Sequence, residues 1–198
     1  MATPPDNHWL VLENRHTGEK LRMRRVNDPE SGEVLEVEGH LPAATEGPPL
    51  HRHFRLREET TVLTGELSAQ LDGKMLAIKP GETTVFPPGS RHTWWNAGDE
   101  ALAFRGRAIP AGDLDRYLQG VFALVNASPT GRPPLFPLAH LLWRHRRTQA
   151  VLSPPRALQA VLLPLLVGLG SLLGKYNGSE WPASPSSCRG APGASGNH

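Results

Sequence analysis

The sequence predicts a mainly β fold, an antiparallel sandwich or barrel, followed by α-helices. Two observations carry this prediction. The 20 glycines and 20 prolines among 198 residues argue against a helical bundle or coiled coil, because both residue types break regular elements. In addition, short alternating runs are separated by turn residues roughly every 8 to 12 positions through the first half of the chain, which is typical of all-β folds.

Seven runs of strand length follow one another between residues 9 and 109. Their alternating or β-branched character is the pattern of half-buried strands. In chain order they cover residues 19–26, 33–39, 60–64, 66–71, 74–78, 83–86 and 101–108. The dipeptide Asp72-Gly73 separates two of these runs and predicts a two-residue hairpin.

Beyond residue 112 the apolar spacing becomes helical. The pattern predicts helices over 113–125 and 137–147, and a third that begins after Ser153-Pro154-Pro155 and ends near Gly174. The chain is therefore predicted to consist of a β-domain at 1–112 and a helical extension at 113–176. Residues 177–198 are rich in Ser, Pro and Gly and predict a disordered tail.

The third helix, at 156–174, carries a stripe of leucines and no charge between residues 157 and 174. Its apolar side chains fall on one helical face, which favours packing on a sheet or on a partner. An interfacial helix on a membrane surface and a true membrane span are the alternatives. Pro164, Gly168 and Gly170 argue against the span.

Charge and cysteine content exclude several classes of protein. The net charge of +2 comes without a basic, aromatic-interleaved motif, so no nucleic-acid partner is expected. The single cysteine, Cys188, rules out an internal disulfide framework. The first residues lack a basic start followed by an apolar core, and we therefore expect a cytoplasmic protein.

Three histidines and one glutamate are spaced so that they can meet at one point. His51 and His53 lie two residues apart, so both side chains share one face of a strand. Glu58 follows a short connection, and His92 follows the turn that begins at Pro87. Three imidazoles and a carboxylate suit a divalent metal such as iron, manganese, nickel, cobalt or zinc. On an octahedral-type ion, four protein ligands would leave two positions for water, substrate or dioxygen.

The spacing around these residues forms two ordered sets. The first set is Gly47, then His51-x-His53, four residues, Glu58, six residues, and Gly65.

The second set is Gly81, five residues, Pro87-x-Gly89, two residues, His92, three residues, and Asn96. Glycines at such positions are expected to serve turns or close backbone approaches. We expect Asn96 to cap a turn with its amide.

These two sets resemble the two motifs of the cupin superfamily. Only Gly47 departs from the pattern, because it stands three residues ahead of His51 where five are usual. The resemblance covers about half of the chain. It implies a double-stranded β-helix, the jelly-roll barrel of cupins, and it assigns the metal-ligand roles to His51, His53, Glu58 and His92. It does not choose a reaction.

Strand alternation predicts which other side chains line the cavity. Trp94 lies two residues after His92, and Thr60 and Val62 share the parity of Glu58. This mostly apolar lining favours a small apolar or aromatic substrate, although Trp94 could equally fill the core. Three further histidines, at 40, 140 and 145, lack partners at ligand spacing, and surface or hydrogen-bonded positions are expected for them.

The resulting hypothesis is a metal-dependent enzyme of the dioxygenase or isomerase type, with iron or manganese as the favoured metal. A non-catalytic cupin that binds or senses a small ligand is the main alternative, and a membrane-surface cupin is a further one. Trp95 and the leucine-rich helix offer apolar surface, so we expect a homodimer.

Overall fold

The computed structural model of the chain describes residues 8–176. Within this range the chain forms two antiparallel β-sheets followed by three helices, which confirms the predicted mainly β fold. The tail predicted at 177–198 lies outside the described residues. The division of the chain at residue 112 stays a prediction.

Eleven strands and three helices make up the described part of the chain. The strands are β1 Leu10–Glu13, β2 Lys20–Asp28, β3 Gly32–Leu41, β4 His51–His53, β5 Arg57–Thr64, β6 Leu67–Leu71, β7 Lys74–Ile78, β8 Thr83–Phe86, β9 His92–Trp95, β10 Leu102–Ile109 and β11 Gln149–Val151. The helices are α1 Leu114–Ala127, α2 Leu135–His145 and α3 Arg156–Leu172.

The strands are divided between a six-stranded sheet in the order β1-β2-β3-β10-β5-β8 and a five-stranded sheet in the order β11-β4-β9-β6-β7. Strands distant in sequence are therefore neighbours, as where β10 inserts between β3 and β5. The predicted hairpin is confirmed. Asp72 and Gly73 have φ of 47° and 88° and connect β6 to β7, which is the backbone conformation of a two-residue turn with both central residues at positive φ.

Apolar side chains from the inner faces of both sheets form the larger of two apolar clusters in the core. Leu41 and Phe104 from the larger sheet meet Leu67 and Ile78 from the smaller one. The alternation read from the sequence predicts this, because every second residue of a strand faces the same layer. Phe122 of α1 joins the same core, so the first helix is part of the fold that supports the sheets.

The third helix differs from its prediction in the face that it buries. Gln159, Leu163 and Gly170 are its buried residues. The leucine stripe is exposed, so it does not pack on the sheets of this chain, and a partner or a membrane surface as its contact stays a prediction. The exposed members are Leu158, Val161, Leu162, Leu165, Leu169 and Leu172, and we call them the apolar face of α3. Gly170 explains why this face of α3 is buried. A Cβ at Gly170 would overlap the Tyr176 hydroxyl, so the side of α3 with small residues allows the closest approach to the rest of the chain.

Four of the eleven strands do not appear among the seven predicted runs: β1, β4, β9 and β11. The short strands β4 and β9 carry the histidines that the motifs single out, whereas nothing in the sequence indicated β1 and β11. β1 is four residues long, and β11 is three residues long. β11 pairs with β4 and so brings the segment between α2 and α3 into the smaller sheet. Over residues 8–176, none of the helices is long and apolar enough to cross a membrane.

Candidate metal centre

Three strands bring the four predicted ligands together between the sheets. His51 and His53 lie on β4 and His92 on β9 of the smaller sheet, and Glu58 lies on β5 of the larger one. His51 and His92 are direct partners in the β4–β9 pairing, so their side chains stand on the same face. The site therefore depends on both sheets, since the carboxylate comes from the layer opposite the imidazoles.

Two glycines allow these strands to approach each other. Gly65, between β5 and β6, has φ of 72°, and a Cβ there would lie 2.7 Å from the carbonyl oxygen of Ala101. Only glycine accepts such a backbone without strain. Gly47 precedes β4, and a Cβ there would overlap the carbonyl oxygen of Trp94 on β9. Its shifted place in the first motif thus still serves a close approach of two chain segments.

The donor atoms form one compact group. One atom from each of the four side chains lies within 4.8 Å of the others. His92 Nε2 is 2.9 Å from Glu58 Oε2, and His53 Nε2 is 3.5 Å from Glu58 Oε1. The ring centroids of His51 and His92 are 4.3 Å apart. The residues that the motifs single out therefore form a group able to bind a metal ion.

Backbone carbonyl oxygens contact two of the imidazole rings at Nδ1, on the side away from Nε2. His51 Nδ1 lies 2.9 Å from the oxygen of Pro49, and His92 Nδ1 lies 3.3 Å from the oxygen of Ser90. In the tautomer that carries the proton on Nδ1, each ring donates to its carbonyl oxygen and keeps Nε2 as an acceptor, the arrangement that orients metal-binding histidines. His92 Nε2 and the Glu58 carboxylate are then two acceptors 2.9 Å apart, and a cation held by both residues would satisfy them.

The charges of the group suit metal binding near neutral pH. Burial lowers the pKa of His51 to about 4, and His92 beside it acts in the same direction. Burial also lowers the pKa of His53, against the attraction of Glu58. For Glu58 itself burial opposes ionisation, but the surrounding imidazoles outweigh it and lower the pKa to about 2. Neutral His51 and His53 and an ionised Glu58 are the forms in which these side chains bind metals.

His53 tests directly whether these residues fit a metal. Its side chain is 3% exposed, and neither of its ring nitrogens has a hydrogen-bond partner among the described residues. A buried polar atom without a partner costs free energy. A divalent cation held by His53 and Glu58 would remove that cost. This nitrogen and oxygen donor set accepts iron, manganese, nickel, cobalt or zinc, so the residues fit the implied metal.

Aromatic side chains surround the group on the inside of the fold. Phe86 stacks on His92 with ring centroids 4.7 Å apart and 19° between the planes. Trp94 packs edge-to-face on Phe104 at 5.4 Å. Sequence reasoning missed Phe86, although its place at the end of the run before Pro87 could have indicated an inward-facing residue.

The predicted substrate-contacting residues occupy the inner side of the same strands. Val62 is fully buried in the core, Trp94 is partly buried against that core, and Thr60 is half-buried on β5. Their contact with a substrate stays a prediction.

Asn96 has the structural role that its motif position predicts. Its side-chain nitrogen donates to the carbonyl oxygens of Pro42 and Glu100 at 2.9 and 2.8 Å, and its side-chain oxygen accepts from the backbone N–H of Gly98 at 3.1 Å. These bonds tie the end of β9 to the end of β3. Asn96 therefore holds the strand that carries His92 in place.

Two polar residues of the helical region have partners that sequence reasoning did not name. His145 is buried, and its Nδ1 lies 2.6 Å from Asp113 Oδ2. Gln149 stands opposite His53 in the β4–β11 pairing. His145 and Asp113 are 32 residues apart, and no motif connects them, so the sequence carries no signal for this contact.

The fold and the donor group together define a class, a two-sheet β protein with a metal-binding group between its sheets. The model of the cupin-domain family matches residues 37–105, a segment that contains both spaced motifs and all four donor residues. This match covers about a third of the chain, and over residues 37–105 it supports the resemblance to the cupin superfamily.

Several solved structures are similar to the chain. An RmlC-like cupin from Shewanella frigidimarina is 21% identical, with 56% of this chain and 91% of that chain covered and a TM-score of 0.45. KdgF from Halomonas sp. is 18% identical, with 58% and 99% covered and a TM-score of 0.43. A sugar phosphate isomerase of the cupin superfamily from Silicibacter pomeroyi is 21% identical, with 45% and 59% covered and a TM-score of 0.38. None of these likenesses assigns an activity to this chain.

No curated protein sequence matches the chain.

Proposed function

We propose that the chain is a metal-dependent enzyme that acts on a small apolar or aromatic molecule. The observation that carries the proposal is the buried group of His51, His53, Glu58 and His92, whose donor atoms lie within 4.8 Å of one another. Burying several ionisable groups at one point costs free energy of folding. Metal binding is the function that offsets this cost directly.

The four side chains would hold a divalent ion, with iron or manganese favoured. When bound, such an ion supplies Lewis acidity and a template for the substrate, and iron or manganese would also allow oxygenation with dioxygen. The chain's own residues orient the donors through the carbonyls of Pro49 and Ser90. They also exclude bulk water, since His92 is 1% exposed beneath Phe86.

The aromatic surroundings support the proposed substrate class. Phe86 and Trp94 present ring faces and edges on the inner side of β8 and β9, and Val62 adds an aliphatic surface from β5. Apolar walls around a few convergent polar atoms are typical of small-molecule sites. We therefore propose oxygenation or isomerisation of an apolar compound, with Trp94, Thr60 and Val62 as residues that contact it.

Metal content tests the site assignment. We expect the purified full-length chain to contain close to one equivalent of metal by elemental analysis. The metal content of the double variant His51→Ala, His92→Ala is expected to fall more than tenfold. Even the loss of a residue that only supports a metal ligand lowers metal affinity about 10- to 100-fold. His40→Ala, an exposed histidine on β3, is the matched control. Unchanged metal content in the double variant would remove the assignment.

Turnover separates an enzyme from a binding protein. Metal-loaded chain is mixed with small aromatic and aliphatic compounds, and oxygen uptake and substrate loss are measured beside equilibrium binding. Consumption that disappears in the double variant supports the enzyme. Saturable binding without loss of compound or oxygen supports instead a non-catalytic cupin that senses or carries its ligand.

The apolar face of α3 supports a homodimer. No charged residue lies between positions 157 and 174, whereas helices that lie on membrane surfaces carry Lys and Arg on their polar side. A second copy of this chain is therefore the partner that we propose for this face. The single cysteine is consistent with a reducing compartment, and we propose the cytoplasm as the site of action.

A further inference from the structure

A cleft lies among α1, α2, β11 and α3, outside the metal centre. Its volume is about 350 Å³, which falls within the range of about 300 to 1,000 Å³ that small-molecule sites occupy. The four donor residues of the metal centre are not part of its lining. The helical region thus contains a concave site of ligand size with walls of its own.

The walls of the cleft combine apolar surface with two guanidinium groups. Its apolar side chains include Tyr117, Leu142 and Leu163, and its cations are Arg146 and Arg156. The lining contains no aspartate or glutamate. Such a combination is complementary to a molecule with a negatively charged head and an apolar body.

The two arginines are held in place by aromatic rings. The guanidinium of Arg146 lies 3.7 Å from the centroid of Trp143, and that of Arg156 lies 4.6 Å from the centroid of Phe54. Over residues 8–176 neither forms an ion pair with a carboxylate. Arg146 donates from Nη1 to the carbonyl oxygen of Trp143 at 2.5 Å. The other edge donors of a guanidinium stacked on a ring can still bind a planar anion such as a carboxylate.

Gln149 also lines the cleft. Its side chain is 6% exposed, and its amide nitrogen has no hydrogen-bond partner within the described part of the chain. The neighbouring Gln159 differs, since its amide donates to the carbonyl oxygens of Val151 and Pro154 at 2.8 and 2.6 Å. Burying an unpaired amide donor costs free energy, and an acceptor atom on a bound molecule would remove that cost.

We propose that this cleft binds a small organic anion, a carboxylate with an apolar body. Arg146 and Arg156 contact the carboxylate, the Gln149 amide donates to an acceptor on the ligand, and Leu142 and Leu163 contact the apolar part. This site is separate from the metal centre and goes beyond the proposed reaction there. Because Gln149 stands opposite His53 across β11 and β4, an occupant would lie beside the strand that carries two of the metal ligands.

Isothermal titration of the full-length protein with 4-phenylbutyrate and with 4-phenylbutan-1-ol tests the proposal. The two probes share one apolar body and differ in charge. We expect the carboxylate to bind at least about tenfold more tightly than the alcohol, since each charge-assisted hydrogen bond contributes about that much. Arg146→Gln and Arg156→Gln are each expected to weaken carboxylate binding about tenfold. Arg147→Gln changes an exposed arginine outside the lining and is expected to leave it unchanged.

Two further variants distinguish this cleft from the metal centre and from a merely structural effect. The double variant His51→Ala, His92→Ala is expected to bind 4-phenylbutyrate as the wild type does, whether or not the proposed reaction exists. Gln149→Met should weaken binding while the thermal midpoint stays the same or rises, because it removes an unpaired buried donor. Equal binding of alcohol and carboxylate, no binding at millimolar concentrations, or binding lost only in the His51/His92 variant would each overturn the proposal.

Discussion

The sheets and the third helix bury their side chains in opposite ways. Between the sheets, apolar residues of both layers meet in one core, and even ionisable groups such as His53 and His92 lie inside it. In α3 the most apolar face is exposed, while a polar residue, Gln159, is buried. The sheets enclose their own interior, whereas the helical region leaves apolar surface and an open cleft.

Because of this difference, the two regions should affect different properties: the stability of one chain and the association of two copies. The core between the sheets contributes to the free energy of unfolding, because apolar burial there is complete. The apolar face of α3 contributes little within one chain, because its leucines remain in contact with water. Substitutions between the sheets should therefore change the free energy of unfolding, and substitutions on the apolar face of α3 should change association.

Truncation of Phe86 should have the largest effect. We expect Phe86→Ala to lower the free energy of unfolding by about 3 to 5 kcal/mol, the usual cost of removing a buried aromatic ring. The variant should also bind metal more weakly, because Phe86 stacks on His92. Denaturant titration and elemental analysis check the two effects.

Val85 on the same strand provides the control for Phe86. Its side chain is exposed, so Val85→Ala should stay within about 0.5 kcal/mol of the wild type. A similar loss in both variants would show that the strand as a whole is sensitive, and it would contradict the special position of Phe86 in the core.

Metal removal should have the next largest effect, and it should be confined to the sheets. At a free metal concentration of about 100 times the dissociation constant, binding adds about 2.7 kcal/mol to the free energy of unfolding. Chelation should remove this increment and lower hydrogen-exchange protection in β4 and β9 more than in α3. Glu58→Gln, which replaces the only carboxylate of the group, should show no metal-dependent increment. An equal response of that variant and the wild type to chelator would refute the site.

The contact between Asp113 and His145 tests how firmly the helical region is attached. It joins the residue before α1 to the last residue of α2 at 2.6 Å. We expect Asp113→Ala to cost about 1 to 2 kcal/mol, because it leaves the buried His145 ring nitrogen without a partner. Asp99, which is exposed and whose side chain forms no hydrogen bond or ion pair within residues 8–176, supplies the control Asp99→Ala. Equal denaturation midpoints for the two variants would mean that the contact does not stabilise the chain.

The contrast between the two regions also explains how much the sequence could predict. Strands alternate with a period of two, so the seven predicted runs and the inward direction of His51, His53 and Glu58 follow from local pattern. Their convergence with His92 depends on how strands distant in sequence are arranged, and the motif spacing shared with cupins predicted that arrangement.

Pattern fails where the structure depends on contacts between distant elements. β11 is three residues long, too short for an alternation signal, and the cleft beside it is formed by elements that share no motif. For α3 the periodicity correctly predicted a one-sided leucine stripe. Periodicity alone does not determine which face of the helix packs on the rest of the chain. The close approach at Gly170 decided that, and small residues give no hydrophobic signal.

The apolar face of α3 gives the smallest expected effect on folding and the clearest one on association. We expect Leu165→Gln with Leu172→Gln to change the free energy of unfolding of one chain by about 0.5 kcal/mol or less, because both side chains are exposed. The same variant should convert a dimer into a monomer, because polar groups placed in an apolar interface lose their water without gaining partners. Light scattering after size exclusion measures the mass of each form over a range of concentrations.

Met75→Gln with Val85→Gln alters two exposed apolar residues of the sheets, and it should leave the dimer intact. If this control dissociates as well, exposed apolar area in general holds the copies together, and α3 has no special role. If the wild type is a monomer at every concentration, a second copy does not cover α3. Sedimentation with anionic liposomes then tests the membrane-surface alternative, with a chain that ends at Ser153 as the comparison. The sheets would keep their metal centre in each of these cases, because none of its donors lies on α3.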